Sequence, residues 1–309
     1  MVERKSAVQH LTALQSRGYI LAIAGTFLWS TTGPIIAALL ANSSIAPLTL
    51  AAWRDIFACL VLLAVLAVWR RPLLRLARWH WLFVALYGVV LAAMNGMWTI
   101  SVARNGAAIS TVLVYTAPAF VALGSRWLFG ERLGRNIFVA LAMSLTGIAM
   151  VAGLYDPVSL ARDPLGTIVG IGSAVCWAAF SLFGKAAARR GLKAPTLMVY
   201  TFGVAGLLLM AIQRGNVFPS IGTATWAGIL GLSAIPTLGG YGLYTASLAY
   251  LPAATASLIA ATEPALTAFL AWLFLGETLT PVQLVGSALI VGSVLALSWG
   301  GKAGEPVEV

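Results

Sequence analysis

Three ionisable residues of this 309-residue chain lie inside long apolar stretches: Arg54 and Asp55 in one, Glu263 in another. A charged side chain at the centre of a bilayer costs about 2.5–3.5 kcal/mol, so such a residue carries either a binding function or a structural pairing. Arg54 suits a solute carboxylate, or equally the carbonyls at a helix end. Glu263 suits a solute ammonium or a proton, or else a structural partner such as Arg54 or a backbone donor. Asp55 points about 100° away from Arg54 around a helix, which leaves the two without an automatic pairing. At helical rise, Arg54 and Asp55 sit roughly 10 Å in from one end of their stretch and Glu263 about 13 Å from the end of its own.

Neutral groups at similar depth extend the set. Trp29 and Trp177 stand mid-stretch, where the interfacial belt that accounts for Trp69, Trp79, Trp81, Trp127, Trp226, Trp272 and Trp299 does not reach. They are either packing residues or walls of a solute chamber, as are Trp98, Tyr115, Tyr200, Tyr241 and Tyr244. Aromatic walls with few charges suit zwitterionic or apolar solutes and tolerate an amino group. Ser30, Thr31, Thr32, Asn95, Ser181 and Thr262 add neutral hydrogen-bonding groups.

Helix breakers accompany these residues. Gly33-Pro34 follows Ser30-Thr31-Thr32, Pro118 interrupts the fourth apolar stretch, and Pro264 follows Glu263. Pro236 precedes Gly239, Gly240 and Gly242, a density that suits a bent, gate-like segment or close packing through small residues. A proline frees carbonyls that are tolerated at membrane depth only where protein or water satisfies them.

These residues need a membrane scaffold, and the composition supplies one. Hydrophobic residues make up 60% of the chain and charged residues 9%, with a mean hydropathy of +0.93. Soluble domains carry about 25% charged residues. A soluble enzyme, a disordered chain and a nucleic-acid-binding domain are thereby excluded, and the net charge of +10 reflects basic loops. Cys59 and Cys176 lie in apolar stretches and read as small buried hydrophobes; His10 and His80 lie outside or at the edge of such stretches, so no metal centre or cofactor is expected.

Ten windows are long and apolar enough to span: 18–40, 47–69, 80–103, 107–129, 134–153, 165–188, 195–213, 224–249, 254–275 and 281–300. The first is expected to be a retained helix, since its apolar stretch exceeds that of a signal peptide. The longest gap, from Leu154 to Pro164, is only a loop. With the N-terminus inside, 15 of the 19 Lys and Arg residues fall on inside segments and 3 outside, Arg54 lying within a span; both termini are then cytoplasmic.

The two halves repeat. Thr116-Ala117-Pro118-Ala119 and Gly130-Glu131-Arg132-Leu133 recur 146 residues later as Thr262-Glu263-Pro264-Ala265 and Gly276-Glu277-Thr278-Leu279. Near the start of each half the offset is 148, which pairs Gly18 with Gly166, Trp29 with Trp177 and Pro47 with Pro195. Five spans per half is an odd number, so the second copy must be inserted upside down. That arrangement is the hallmark of alternating-access transporters.

The segments APAFVALGSRWLFGERL (117–133) and EPALTAFLAWLFLGETL (263–279) resemble the EamA-type repeats of the drug/metabolite transporter superfamily, as do the Trp in each half's first helix and the Arg in the second. The whole is similar to YddG-type aromatic amino-acid exporters. The resemblance implies ten helices around a central cavity lined by helices 1–4 and 6–9, with helices 5 and 10 peripheral, and export of small metabolites.

The expected fold is thus an all-α polytopic membrane protein of two inverted five-helix repeats, residues 1–153 and 154–309, around a central cavity. The expected activity is secondary export of amino acids across the inner membrane, with one chain as the functional unit and no nucleic acid as partner. A cationic-drug exporter acting through Glu263 and a channel-like facilitator are the alternatives. The chamber residues are Trp29, Ser30, Arg54, Asn95, Trp98, Tyr115, Trp177, Ser181, Tyr241, Tyr244 and Glu263; Pro118, Pro236, Gly239, Gly240 and Pro264 are the kink and gate positions. A membrane enzyme is disfavoured because no Ser-His dyad, His cluster or paired acids are available, and no phosphate-binding loop supports ATP-driven transport.

Overall fold

The structure is a computed structural model that describes residues 2–105, 107–131, 133–153, 163–213, 218–275 and 280–299. Among these residues there is no β-strand. Fourteen α-helices follow one another: α1 Val2–Ser30, α2 Thr32–Ala41, α3 Pro47–Trp69, α4 Trp81–Asn105, α5 Ala107–Val114, α6 Ala117–Phe129, α7 Arg135–Val151, α8 Pro164–Arg189, α9 Ala194–Ile212, α10 Thr223–Leu232, α11 Leu238–Ser247, α12 Ala253–Ala260, α13 Glu263–Leu275 and α14 Pro281–Trp299. A π-helical segment, Ser233–Thr237, joins α10 to α11.

Seven helical stretches are long and apolar enough to cross a bilayer: 14–40, 47–69, 78–102, 109–129, 164–189, 194–212 and 253–270. Arg135–Val151 and Pro281–Ala296 are shorter apolar helices. The first helix differs from expectation at its start. It begins at Val2 rather than near residue 18, because the polar segment ahead of the span is rich in good helix formers such as Glu3, Lys5, Ala7 and Gln9. The expected loop after Leu154 falls largely outside the described residues, as does the second Gly-Glu pair at 276–277.

Several starts are set by proline at the first or second helical position, where its missing N–H costs nothing: Pro47, Pro118, Pro164 and Pro195. Asp163 caps α8, accepting from the backbone of Leu165 (2.8 Å) and Gly166 (3.2 Å), and it also accepts from Arg104 at 2.6 Å. The Arg104 hydrogen bond, then the backbone donors, hold the Asp163 carboxyl below the usual carboxylate range.

Packing between the halves shows how they are related. Helix α3 lies against α9, α7 against α14, and α6 against α12. The first two pairs join elements that the sequence repeat makes equivalent, the third joins the fourth apolar stretch to its repeat-related ninth, and each pair runs antiparallel. Thr49 at the start of α3 bonds Gln213 just past the end of α9 (2.8 Å), while Gly206 lies against Ile56. Gly147 of α7 backs onto Gly286 and Ile290 of α14, while Gln283 at the start of α14 donates to the carbonyl of Val151 at the end of α7 (3.3 Å). Glu131, past the end of α6, accepts from the backbone N–H of Ala253 at the start of α12 (3.2 Å). Equivalent helices packed antiparallel require an axis in the membrane plane, so the halves are inverted. The other major contacts obey the same exchange: α4 with α8 matches α1 with α11, and α4 with α9 matches α3 with the α10–π segment.

The seam of α7 and α14 depends on its glycines. A side-chain carbon at Gly147 would collide with the Gly286 carbonyl and the Ile290 side chain, whereas one at Gly134 meets open space. Gly147→Leu is expected to lower stability by about 1–3 kcal/mol through overpacking. Thermal unfolding of the detergent-purified protein checks this, with Gly134→Ala near wild type.

Candidate functional site

Four helix interruptions frame the centre of the bundle. The α1/α2 break falls at Thr31, ahead of Gly33-Pro34. The α5/α6 break falls at Tyr115 and Thr116, ahead of Pro118, and the α12/α13 break at Ala261 and Thr262, ahead of Pro264. The π-helical segment surrounds Pro236. All four coincide with breakers in the sequence.

Trp29 and Trp177, from the first helix of each half, meet at the centre with ring centroids 5.1 Å apart. Tyr241 and Tyr244 of α11 close the group. Trp29 lies 4.9 Å from Tyr241 and 5.3 Å from Tyr244, and Trp177 lies 5.4 Å from Tyr244. Phe180, Phe202 and Tyr87 form a second ring layer: Phe180 and Phe202 each pack against Tyr241, and Tyr87 packs against Phe180 at 4.6 Å. Trp29, Trp177, Tyr241 and Tyr244 are each less than a tenth exposed, so the expected central chamber is filled by side chains in this conformation. Gly240 makes the approach possible, since a Cβ there would strike the Trp29 indole, and Gly239 admits Leu28 in the same way. These two glycines serve close helix packing.

Polar groups line the cluster's edges. Ser181 and Tyr244 share a hydrogen bond of 2.6 Å. The Trp29 Nε1–H is buried without a partner. Ser30 Oγ and Thr31 Oγ1 donate to the carbonyls of Phe27 (2.6 Å) and Leu28 (2.7 Å), and Thr267 of α13 donates to the Ser30 carbonyl (3.1 Å).

Arg54 and Asp55 do pair. Arg54 Nε donates to Asp55 Oδ1 at 3.3 Å, and Asn95 Nδ2 of α4 donates to Asp55 Oδ2 at 2.8 Å. The 100° between adjacent positions on the helix is overcome by the length of the Arg side chain, which folds back along α3. Both oxygens of Asp55 are thus occupied, and its side chain is fully buried. Arg54 keeps a small exposure, and its terminal amino groups form no hydrogen bond among the described residues.

Glu263 finds neither Arg54 nor a backbone donor as its partner. Its carboxyl accepts a hydrogen bond from the hydroxyl of Tyr115, which links the α12/α13 break to the α5/α6 break. Tyr241 lies within electrostatic reach of Arg54, Asp55 and Glu263.

Two candidate aromatics stand apart from this ring cluster. Tyr200 donates to the carbonyl of Leu74 and packs on Trp81, 4.9 Å away, at the end of the bundle. Trp98 is half-buried and makes no ring contact among the described residues. Trp69, Trp79 and Trp127 are among the most exposed residues, as a lipid–water belt requires. Trp226 instead packs against Trp53 and Phe57. Sequence reasoning missed Tyr87 and Phe180 as cluster members; their apolar context in the sequence carries no signal that separates them from ordinary packing.

Comparison with known proteins agrees with this architecture. The EamA-like transporter family is matched twice, over residues 16–153 and 164–299. The threonine/homoserine exporter RhtA of Escherichia coli K12 is 32% identical over 248 residues, covering 78% of this chain and 77% of that protein. The uncharacterised transporter YwfM of Bacillus subtilis is 26% identical over 285 residues, 90% of this chain and 93% of that one. One solved crystal structure superposes with a TM-score of 0.77 at 19% identity, covering 93% of this chain and 98% of its own, a likeness of fold. With two family units whose packing is inverted, this chain belongs to the EamA-like transporter family and is a multi-pass membrane transporter, not an enzyme.

Proposed function

We propose that this transporter exports amino acids, neutral and aromatic ones foremost, across the inner membrane by alternating access. The observation that carries the reading is the buried aromatic cluster of Trp29, Trp177, Tyr241 and Tyr244, whose Tyr241 is within electrostatic reach of Arg54 and Glu263. A zwitterion offers a carboxylate to the free amino groups of Arg54, an ammonium to Glu263, and a side chain to the rings. RhtA, an exporter of threonine and homoserine by name, supports the same substrate class.

In this reading ten spans form two units, residues 1–153 and 154–309, with both termini cytoplasmic and one chain sufficient for transport. Spans 1, 4, 8 and 9 are the interrupted helices, and spans 5 and 10 are α7 and α14 at the periphery. Ser30, Asn95, Tyr115 and Ser181 hold the poles and rings in place. Pro118, Pro236 and Pro264 supply the bends about which the helices rock. The unpartnered indole N–H of Trp29 supports a solute acceptor there, because a buried donor left without a bond costs about 1–3 kcal/mol. Glu263 beside aromatic rings would equally receive an organic cation, so cationic solutes belong in the same assay.

Reconstituted protein is expected to show saturable, trans-stimulated exchange of labelled neutral and aromatic amino acids, with Trp29→Ala and Trp177→Ala each strongly impaired. Unsaturable flux indicates a pore, and exchange confined to cationic compounds indicates a drug exporter; either result overturns the proposal.

Arg54→Gln and Glu263→Gln are each expected to raise the KM for amino acids about tenfold or more, the loss of a hydrogen bond to a charged group being worth about 1.5–3 kcal/mol. Initial-rate measurements on the same vesicles check this, and an unchanged KM in both variants removes the two poles from the site.

Asp55→Ala leaves Arg54 buried beside no counter-charge, a loss on the order of 3–5 kcal/mol. The double replacement Arg54→Met, Asp55→Leu is expected to recover most of the stability but no transport. Thermal unfolding and exchange assays on the two variants separate these roles.

A further inference from the structure

The exchange symmetry of the contacts is incomplete, and one departure lies beside α8. Helix α8 packs against α11 and α12 along the half of the bundle nearer the basic face. The repeat makes the opposite-half equivalents of these contacts α2 with α4 and α2 with α5, and no comparable packing joins those elements among the described residues. Helix α2 leans instead on α10 and α13. These contacts are therefore closer beside α8 than beside α2.

The closed side is held by named groups. Trp177, Ser181 and Lys185 occupy successive turns on one face of α8, four residues apart. Each meets the end region of the eighth span: Trp177 packs on Tyr241 and Tyr244, Ser181 bonds Tyr244, and Lys185 Nζ donates to the carbonyls of Leu248 (3.0 Å) and Leu251 (2.7 Å). Those carbonyls lie at the end of α11, the negative pole of its dipole, where an ammonium is favoured. Glu131 lies within electrostatic reach of Lys185 and accepts from the N–H of Ala253, the positive pole of α12. Its other carboxylate oxygen is buried without a hydrogen-bond partner. The two side chains together span the turn between the eighth and ninth spans and fasten it to α8 and α6.

Among the described residues the opposite face shows no such ammonium. At the 148-residue offset Lys185 corresponds to Ala37. The Arg104–Asp163 ion pair of that face joins α4 to α8, two helices already packed together, so it does not close the gap beside α2.

We propose that Lys185 and Glu131 form a clasp that seals the basic face of the bundle, and that the replacement of the equivalent of Lys185 by Ala37 in the other half biases the transporter toward an outward-facing state. The direction named here rests on the cytoplasmic placement of the basic face proposed above. To load from the cytoplasm, Lys185 must release the two carbonyls so that α11 and α12 can part from α8.

Thr245 lies just behind the clasp, on α11, and is buried. In a background of Cys59→Ala and Cys176→Ala, Thr245→Cys is expected to react slowly with a membrane-impermeant maleimide applied to inside-out vesicles. Adding Lys185→Met is expected to raise that rate about tenfold or more, as loss of a charge-assisted bond shifts the closed–open equilibrium. Lys185→Arg restores slow labelling. The exposed Asn42→Cys, labelled from right-side-out vesicles at an unchanged rate, shows that the Lys185→Met protein is folded. An unchanged rate at Thr245→Cys in Lys185→Met overturns the clasp. A rate gained only in right-side-out vesicles keeps the clasp and overturns the assigned orientation. Neither outcome depends on the substrate, so failure of the amino-acid reading leaves this test intact.

Discussion

Inside a bilayer, any backbone that leaves the helical ladder must find its hydrogen bonds within the protein, and the centre of this transporter is organised by that demand. Each interruption carries a hydroxyl that bonds back onto the chain. Ser30 and Thr31 cap carbonyls at the first break, Thr116 bonds Leu113 at the second (2.7 Å), and Thr262 bonds Ile259 at its repeat-related position (2.7 Å). In the π-helical segment Ser233 bonds Ile229 and Thr237 bonds Leu232, the latter across the wider turn that Pro236 imposes. Breaks satisfied from within need no water, and so the rings can close over them. Thr267 then ties the first break to α13, so the bends of spans 1 and 9 are mechanically joined.

Inversion explains why the breaks and the poles come in related positions. The Tyr115–Glu263 bond joins the break of span 4 to that of span 9, which the repeat makes equivalent, and Trp29 meets Trp177 for the same reason. Yet the residues at equivalent places differ in chemistry. Glu263 corresponds to Ala117, and Lys185 to Ala37. A perfectly symmetric pair of repeats would give two states of equal energy and a solute site without polarity. Under the proposed function, the departures from symmetry orient a bound zwitterion and favour one state.

Much of the frame was legible in the sequence because its signals are strong and local. Apolar windows such as 47–69 coincide with α3, and prolines at 118, 236 and 264 announced the interruptions. The Thr-X-Pro-Ala repeat carried the pairing of halves. The side-chain partnerships were not legible. Arg54 was separated from Asp55 by helix geometry alone, which ignores how far a guanidinium can fold back. Glu263 and Tyr115 were both recognised, but a contact across 148 residues leaves no trace in spacing. Gly239 and Gly240 read as gate positions or as close-packing residues, and the partners they make room for, Leu28 and Trp29, depend on what packs opposite. Lys185 lies close to a span end, and that position is what brings it to the end of α11. Glu131 served only as a marker of the repeat, since a helix-capping role belongs to a partner helix that sequence alone does not identify.

The central cluster also bears on how an empty transporter turns over. Four rings and an indole N–H with no partner among the described residues fill the centre, so this conformation retains apolar packing while leaving one polar group unsatisfied. A solute that supplies an acceptor and a side chain of similar bulk replaces the ring contacts and satisfies that donor. One that supplies bulk alone separates the rings and leaves the donor as it was. Binding is thus favoured by the sum of both features, and that sum distinguishes an amino acid from a hydrocarbon of equal size. Because the tyrosines that close the cluster are carried on α11, whose far end Lys185 holds, entry of a solute from that side and release of the clasp move the same helix. Solute recognition and gate opening therefore share one rigid element, and neither can proceed far without the other.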